Sequence, residues 1–268
     1  MVSGMTMAER GQITQEAERE GEGLVHFGYR LVKAGEKKNL VRTHFATVAE
    51  KYDFMNTVLS FGAHFLWKKR AMDALSLKEG ARLLDLCGGT GDMSLLAAKR
   101  LRNAGKVVLY DINPFMLEKG KEKLRRKNLD SSVRFVLGDA ELLSLKTASF
   151  DACIVAFGVR NLTHMTDGFR EMLRVLKPGG EMVCLEFSIP RTRWFRWLYD
   201  VYSFRMMPLL GEILAGSRKA YTYLPESIRV FPSPEELARL LRDIGFEKVR
   251  FRLLTDGIAV IHKARKPS

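Results

Sequence analysis

The stretch LDLCGGTGD, residues 84–92, decides the fold, because an apolar run leads there into three glycines. Glycines at the end of a strand let the backbone turn tightly and approach a ligand where a Cβ atom would obstruct it. Apolar residues resume with helical spacing over 93–101, directly after the glycines. The order of strand, glycine turn and helix predicts the first βα unit of a nucleotide-binding sheet.

Strand-like and helical patterns alternate along the chain that follows. The predicted strands cover residues 82–86, 107–110, 133–137, 150–156 and 182–187. A helix is predicted over 167–176, and the sequence KPGG at 177–180 ends it. Because the strands are apolar throughout, the pattern predicts a parallel sheet covered by helices on both faces.

The carboxyl-terminal part predicts an antiparallel addition to this sheet. A helix over 234–244 is followed by strand patterns at 249–254 and 258–262, which flank TDG at 255–257. Such a turn between two strands is typical of a hairpin. The predicted fold is therefore α/β and Rossmann-like, a seven-stranded, doubly wound, mostly parallel sheet with an antiparallel terminal strand.

Two stretches outside the sheet predict a helical cap, and a third predicts a tail. Residues 1–38 are polar and glycine-rich, and they are interpreted as a flexible tail before a single domain over 39–265. The cap segments are about 40–77 and 191–232, and the second is dense in aromatic residues and Met. Insertions at the carboxyl side of such a sheet commonly build the ligand site. Packing of the segment against the core is compatible with that role.

Composition argues against a disulfide-stapled, a metal-binding and a membrane-spanning protein. The 268 residues carry 44 Lys+Arg against 31 Asp+Glu, a net charge of +13 that is spread along the chain. Spread charge usually forms a solvated surface, although nucleic acid and an anionic membrane stay open as partners. Three distant cysteines without C-x-x-C spacing argue against a disulfide framework and against a metal site. With no secretory signal and no transmembrane stretch, the chain is expected in the cytoplasm.

Acidic residues at successive strand ends predict the ligand of the glycine turn. Asp111 stands at the end of the second strand, 20 positions after Gly91, where a carboxylate can accept both hydroxyls of a ribose. Asp139 ends the third strand and is placed to accept a hydrogen bond from an adenine amine. A glycine turn alone is weak evidence, whereas these three features together indicate an adenosine ligand.

The charge near the turn favours S-adenosylmethionine over a dinucleotide. Ser94 stands where the third glycine of the dinucleotide pattern is expected. Asp85 and Asp92 would repel a pyrophosphate, but they suit a ligand with an ammonium and a sulfonium group. The residues themselves thus predict S-adenosylmethionine bound by Asp85, Gly89, Gly91, Asp111 and Asp139.

Longer motifs resemble a known family. YDFMN at 52–56, with Ser60, His64 and Trp67 after it, and RVLKPGG at 174–180, with Glu186 after it, carry the match. The chain resembles class I S-adenosylmethionine-dependent methyltransferases and, more narrowly, the ubiquinone/menaquinone biosynthesis C-methyltransferases, over about residues 40–264. KPGG is common to many methyltransferases, whereas the pattern from Tyr52 to Trp67 is much more specific.

The resemblance implies further site residues and a substrate. Cofactor contacts are implied from Thr90, Asp111, Asp139 and Ala140. The family's Ser at the end of the fourth strand is Ala156 here, so the hydroxyl contact is lost and a backbone contact is expected. The implied reaction is C-methylation of a prenylated quinol ring, from demethylmenaquinol to menaquinol or on a demethoxy-type polyprenyl benzoquinol.

Catalysis is assigned first to Arg160 and Asn161, and next to Tyr52. Methyl transfer from a sulfonium needs no metal, but the ring carbon becomes nucleophilic when the neighbouring hydroxyl is deprotonated or polarised. Arg160 is expected to stabilise that phenolate, with Asn161 orienting it. A guanidinium stays protonated, so Arg160 is not a free base. Tyr52, His64 and Asp53 remain open as proton acceptors.

Other functions compete with this interpretation. The same fold could methylate another small aromatic molecule or RNA, or serve as a non-catalytic scaffold of a quinone-synthesis complex. No nucleic acid partner is expected, because no RNA-binding module is appended. The basic residues of 191–205 are interleaved with large apolar ones, which suits peripheral contact with an anionic membrane at its inner face. The sequence also leaves open whether the protein forms homo-oligomers.

Overall fold

The computed structural model describes residues 23–101 and 105–268, and these begin with a hairpin. Strand β1 (Leu24–Phe27) pairs antiparallel with β2 (Arg30–Lys33), and helix α1 (Ala34–Val48) follows. The flexible tail predicted over 1–38 is therefore wrong for residues 24–38, and residues 1–22 lie outside the described part. Four-residue strands are too short to show a period, and their stability comes from distant contacts: Phe27 stacks on Tyr223 at 4.4 Å.

The seven-stranded sheet predicted from the sequence is confirmed, with the strand order β5-β4-β3-β6-β7-β9-β8. Pairing is parallel from β5 to β7, and β9 lies antiparallel between β7 and β8. The strands are β3 (Arg82–Leu86), β4 (Lys106–Asp111), β5 (Val133–Leu137), β6 (Phe150–Ala156), β7 (Leu176–Phe187), β8 (Glu247–Leu254) and β9 (Ala259–Arg265). The order reverses between β3 and β6, and ligands of such sheets bind beyond the carboxyl ends at that point.

Two layers of helices cover the sheet because its buried side chains alternate between the faces. Leu83, Leu109 and Ile154 belong to one core with residues of α3 and α4, whereas Leu84 and Val155 belong to another with residues of α6 and α10. The helices after α1 are α2 (Tyr52–Leu59), α3 (Ala63–Ala74), α4 (Asp92–Leu101), α5 (Pro114–Arg125), α6 (Met165–Val175), α7 (Arg193–Val201), α8 (Met207–Ala215), α9 (Arg218–Val230) and α10 (Pro234–Ile244).

The predicted cap is helical in both segments. Helices α1 to α3 build the first part, and α7 to α9 build the second. Between α7 and α8 the chain stays helical through a π turn at Tyr202–Met206. Pro208 explains the wider turn, since it has no N–H to donate to the preceding turn of an α-helix. Among the described residues, no helix is both long enough and apolar enough to cross a membrane.

Candidate active site

The glycine turn after β3 is held from below by Asp85. Its Oδ2 accepts hydrogen bonds from the Ser94 N–H at 2.8 Å and the Ser94 hydroxyl at 2.7 Å, so it ties the first turn of α4 to β3. Burial raises the pKa of Asp85 to about 7, although these hydrogen bonds act to lower the pKa. Gly91 has a φ of +79°, and a Cβ atom there would lie 3.1 Å from the Leu109 side chain and 3.0 Å from that of Leu124. The structure places the Asp85 carboxylate beneath the turn, and the cofactor contacts of Asp85 and Gly91 stay predictions.

Asp111 closes the turn from the neighbouring strand. At the end of β4, its Oδ2 accepts from the Gly89 N–H and its Oδ1 from the Asn113 N–H, each at 2.8 Å. Burial raises the pKa of Asp111 to about 6, although these backbone hydrogen bonds act to lower the pKa. The Ile112 N–H also contributes a backbone hydrogen bond. A carboxylate has about four acceptor positions, so the backbone does not use all of them and one remains for a ligand.

A cavity at the carboxyl ends of β3 to β6, named here the strand-edge cavity, gathers most of the predicted cofactor residues. Gly89, Asp111, Asp139, Ala140 and Ala156 all line it. Ile112, Met116 and Leu162 add apolar wall between these polar groups. Acceptor carboxylates beside apolar surface fit the ribose hydroxyls, the amine and the ring faces of an adenosine. The residues present therefore fit S-adenosylmethionine.

Helix α1 covers the strand-edge cavity, which the sequence did not predict. Lys38 Nζ contacts the Asp139 carboxylate at 2.7 Å and the Glu141 carboxylate at 3.3 Å. Lys37 Nζ donates to the Leu162 carbonyl at 2.6 Å, and burial lowers the pKa of this lysine to about 8. Phe45 of the same helix lines the cavity. Because these contacts join residues more than 100 positions apart, no local pattern announces them.

Thr90 lies in a buried polar cluster rather than on the cavity wall. Its hydroxyl donates to Asp53 Oδ1 at 2.6 Å and accepts from Lys123 Nζ at 3.0 Å. Asp92 pairs with Lys68 at 2.6 Å and with Lys123 at 2.7 Å. Burial would raise the pKa of Asp92, but the two ammonium groups hold it well below its usual range. The cluster joins the cap to the glycine turn, and the cofactor contact implied for Thr90 is not made by its hydroxyl in this arrangement.

A second cavity of about 500 Å³, named here the aromatic cavity, lies under the cap. Phe45, Tyr52 and Phe157 line both cavities, so they form the wall between them. The predicted insertion supplies much of the remaining lining, including Phe195, Leu198, Tyr199, Tyr202, Met206, Met207, Tyr221, Tyr223 and Leu224. The expectation that this segment builds a ligand site fits its placement here.

Arg160 lies at the aromatic cavity and is held by Glu186. Its Nη1 donates to Glu186 Oε2 at 2.9 Å and to the Phe157 carbonyl at 2.6 Å, and both side chains of the ion pair are almost fully buried. Burial opposes the charged form, but Glu186 raises the pKa of Arg160. Within the described part of the chain, the Arg160 Nε–H has no hydrogen-bond partner. A cation fixed by Glu186 therefore lies at the wall of the aromatic cavity.

Asn161 and Tyr52 complete the set proposed for catalysis. The Tyr223 hydroxyl donates to Asn161 Oδ1 at 2.9 Å, and burial raises the pKa of Tyr223 to about 12. Asn161 lines the strand-edge cavity, Arg160 lines the aromatic cavity, and Tyr52 lines both. The three predicted residues thus meet where the two cavities adjoin.

Two histidines line the aromatic cavity, and both are neutral near pH 7. Burial lowers the pKa of His64 to about 4, and its Nε2 lies 3.2 Å from the Thr57 hydroxyl. Burial and the Arg160 charge lower the pKa of His44 to about 4. Asp53, the third acceptor considered, is already engaged with Thr90 and with Lys123.

Sequence reasoning missed the roles of Glu186 and Tyr223. Glu186 is the acid within the predicted apolar strand 182–187, and a carboxylate buried in such a run requires a charged or hydrogen-bonding partner. The isolated acid in this strand is a signal that the sequence alone contains. The sequence contains no such signal for Tyr223, because it stands 62 positions from its partner Asn161 in a segment of many aromatic residues.

Solved structures with this fold define the class of protein. A SAM-dependent methyltransferase from Thermotoga maritima matches with a TM-score of 0.59 and 19% identity, over 84% of this chain and 99% of that one. The [4+2]-cyclase SpnF matches with a TM-score of 0.63 and 18% identity, over 85% and 95%. The fold is that of the class I S-adenosylmethionine-dependent methyltransferases.

Sequence comparison narrows the class. The ubiE/COQ5 methyltransferase family matches residues 31–266. "Ubiquinone/menaquinone biosynthesis C-methyltransferase UbiE" of Idiomarina loihiensis is 42% identical over 92% of this chain and 98% of its own length. The protein of the same name from Azotobacter vinelandii is 43% identical, over 93% and 98%. The chain belongs to the ubiE/COQ5 methyltransferase family, and it is a methyltransferase with S-adenosylmethionine as its cofactor.

Replacing Asp111 should weaken cofactor binding. Asp111→Asn keeps the shape but leaves only one acceptor oxygen, and loss of a charge-assisted hydrogen bond raises the Kd for S-adenosylmethionine about 10- to 100-fold. Calorimetric titration at pH 7.5, above the raised pKa of Asp111, measures this change. Glu118→Gln, on the exposed face of α5, is the matched control. An unchanged Kd for Asp111→Asn would refute the assignment.

Asp85 should make the fold less stable as the pH rises from about 4 to 7. The folded-state pKa of about 7 lies above the ordinary aspartate pKa of 3.8, so over this interval the unfolded chain releases the proton first. The free energy of unfolding then falls relative to Asp85→Asn by on the order of 4 kcal/mol.

Urea unfolding of wild type and Asp85→Asn at pH 4.5, 6 and 7.5 measures the effect. Asp130→Asn, at an exposed position, controls for the loss of one charge. Curves for wild type and Asp85→Asn that stay parallel across this range would contradict the prediction.

Proposed function

We propose that this methyltransferase methylates a ring carbon of a prenylated quinol in quinone biosynthesis. Its relatives are named as C-methyltransferases of ubiquinone and menaquinone biosynthesis. The observation that carries the proposal is Arg160, a cation that Glu186 holds at an aromatic cavity, which adjoins the strand-edge cavity.

The aromatic cavity supports a ring with an apolar tail. Its walls are mostly aromatic and aliphatic, and its fixed charge lies next to the wall shared with the strand-edge cavity. Pockets of this size and polarity typically bind an apolar ligand and orient it by a few polar groups. A quinol ring would place its oxygen at Arg160 and extend its prenyl chain toward the cap.

Arg160 would act by stabilising negative charge on the quinol oxygen. S-adenosylmethionine, when bound, supplies a methyl group that its sulfonium already activates. The Arg160 guanidinium is held by Glu186 and the Phe157 carbonyl, so its charge is oriented before the substrate arrives. A preorganised donor stabilises developing charge without the reorganisation that water would need.

Asn161 and Tyr52 would position the ring. The hydrogen bond from Tyr223 fixes the Asn161 amide, while Tyr52 lies in the shared wall where the two ligands would meet. Holding the reacting atoms in near-attack geometry is worth about 7–11 kcal/mol in well-oriented reactions. The neutral His64 and the Tyr52 hydroxyl remain as proton acceptors, since the Asp53 carboxylate is already paired.

The finer parts of the proposal concern substrate and location. In a naphthoquinol and in a benzoquinol, a hydroxyl group is placed in the same way beside the ring carbon that is methylated. Both quinols are therefore proposed as substrates. Cytoplasmic location with peripheral contact to an anionic membrane belongs to the proposal as well, because a prenylated substrate partitions into bilayers.

Methyl transfer from labelled S-adenosylmethionine tests the function. Reduced demethylmenaquinone, a reduced demethoxy-type polyprenyl benzoquinone and bulk tRNA are assayed side by side. We expect label in at least one quinol, and the ratio of the two assigns the pathway. Label in tRNA alone would refute the substrate, and no label in any acceptor despite cofactor binding would favour another small aromatic substrate or a scaffold.

Arg160→Lys should lower kcat with little effect on the cofactor. Lysine keeps a charge for Glu186 but loses the planar fork of donors, so kcat on the quinol should fall about 100-fold. The Kd for S-adenosylmethionine should stay within about threefold, because Arg160 lines the other cavity. Arg125→Lys, at an exposed position on α5, is the control. A kcat close to wild type would exclude Arg160 as the stabilising group.

A further inference from the structure

The mouth of the aromatic cavity is ringed by exposed apolar side chains. Phe61, Leu198 and Met206 line the cavity and are 85%, 48% and 51% exposed. They come from the loop before α3, from α7 and from the π turn, so three elements of the cap meet at this opening. Side chains that both line a cavity and face solvent mark its entrance.

Helix α7 extends this apolar rim with two tryptophans. Trp194 and Trp197 are 69% and 68% exposed, and Leu198 lies beside them. Because residues three and four apart share one face of a helix, these side chains form a continuous stripe. The opposite side of α7 is anchored to the protein through Tyr199, which is buried. A soluble monomer gains nothing from two exposed tryptophans on one helix face, so the stripe requires a partner.

The charges around the stripe indicate the chemistry of that partner. Residues 191–205 contain four arginines, all exposed, and one acid. That acid, Asp200, is paired with Arg229 from α9. Arg193 and Arg196 follow the same three-residue spacing as the tryptophans and flank them. Tryptophan at the level of the headgroups, with arginine toward anionic phosphates, is the arrangement of helices that lie in a membrane interface.

We infer that Trp194, Trp197 and Phe61, flanked by Arg193 and Arg196, form a docking face that inserts into an anionic bilayer and opens the aromatic cavity directly to it. The docking face marks the entrance of the aromatic cavity as well as the anchor of the protein, since Phe61 of the face and Leu198 of the stripe both line that cavity. The access role rests on the proposed function, whereas the insertion itself does not. A prenylated quinol would then enter from the bilayer without crossing water.

The tryptophan content of the chain makes insertion measurable. Of its three tryptophans, Trp194 and Trp197 lie on the docking face, and Trp67 is only 3% exposed. Vesicles of phosphatidylglycerol and phosphatidylcholine with brominated acyl chains should therefore quench most of the emission. In the double variant Trp194→Phe/Trp197→Phe, which keeps aromatic side chains for docking, the remaining emission from Trp67 should not be quenched.

Two docking variants test what holds the protein on the membrane. Trp194→Ser/Trp197→Ser removes the inserted rings, and Arg193→Gln/Arg196→Gln removes two exposed charges without affecting the core. Each charge near an anionic surface is worth about 1 kcal/mol, so the arginine pair alone should lower binding to anionic vesicles about tenfold or more. Lys127→Gln, at an exposed position after α5, is the matched control that should bind as wild type does.

Activity on two substrates separates docking from catalysis. Both variants should lose activity on a long-chain quinol embedded in anionic vesicles, while kcat/KM on a water-soluble, short-chain quinol stays within about twofold of wild type. Equal loss on both substrates would overturn the access role. If wild type methylates neither quinol, the proposed function fails, and quenching alone still decides whether the face inserts.

Absence of quenching would overturn the insertion. If the tryptophan emission instead shifts with protein concentration in the absence of vesicles, the face is an interface between two copies of this chain. Quenching by uncharged vesicles to the same extent would refute the role of the arginines.

Discussion

A partly buried polar cluster ties the cap to the glycine turn of the sheet. Thr90 from the glycine turn donates to Asp53 of α2, while Lys68 of α3 and Lys123 of α5 share Asp92 at the start of α4. Each carboxylate in it has a cation within 2.7 Å, so burial does not leave an uncompensated charge. Because α2 also carries Tyr52, the cluster fixes the wall between the two cavities against the strand ends.

The ion pair of Arg160 and Glu186 has a different purpose. Replacing such a buried pair by apolar side chains is often neutral or stabilising, so its presence is weak evidence for stability. What the pair provides is a cation whose direction is set by the carboxyl end of β7 and by the Phe157 carbonyl. The guanidinium lies over the Phe187 ring at 5.3 Å, which leaves it little room to turn. Rigidity of this kind is what a group that stabilises a transient charge requires.

The sequence predicted the sheet because each strand carries its own pattern, and it predicted the strand-edge residues because parallel strands end at one edge. The strand period explains the direction of Asp85: Leu84 and Leu86 face one core, so Asp85 faces the other, beneath α4. Thr90 and Gly91 follow glycines, where the backbone direction has no such period. Their orientation depends on partners in α2 and α5, which no local pattern contains.

The hairpin of β1 and β2 and the helix α1 show even more clearly that a local sequence pattern does not contain contacts with distant residues. Lys37, Lys38 and Phe45 acquire their roles only when the chain folds back over the strand-edge cavity, where the partners of the two lysines lie more than 100 residues away in the sequence. Glu186 is the contrasting case, because a single acid in an apolar strand calls for a partner even before a structure is known. A solitary acid in a buried strand therefore predicts that a partner exists, although it does not identify the residue that supplies it.

The shared wall of Phe45, Tyr52 and Phe157 also has a thermodynamic consequence. Any ligand that orders this wall from one side changes the surface that it presents on the other. Binding free energies are reciprocal, so the factor by which the first ligand alters the affinity for the second equals the factor in the reverse direction. Any coupling between a methyl donor in one cavity and an acceptor in the other would therefore pass through three side chains, one of which, Phe45, belongs to the helix that covers the strand-edge cavity.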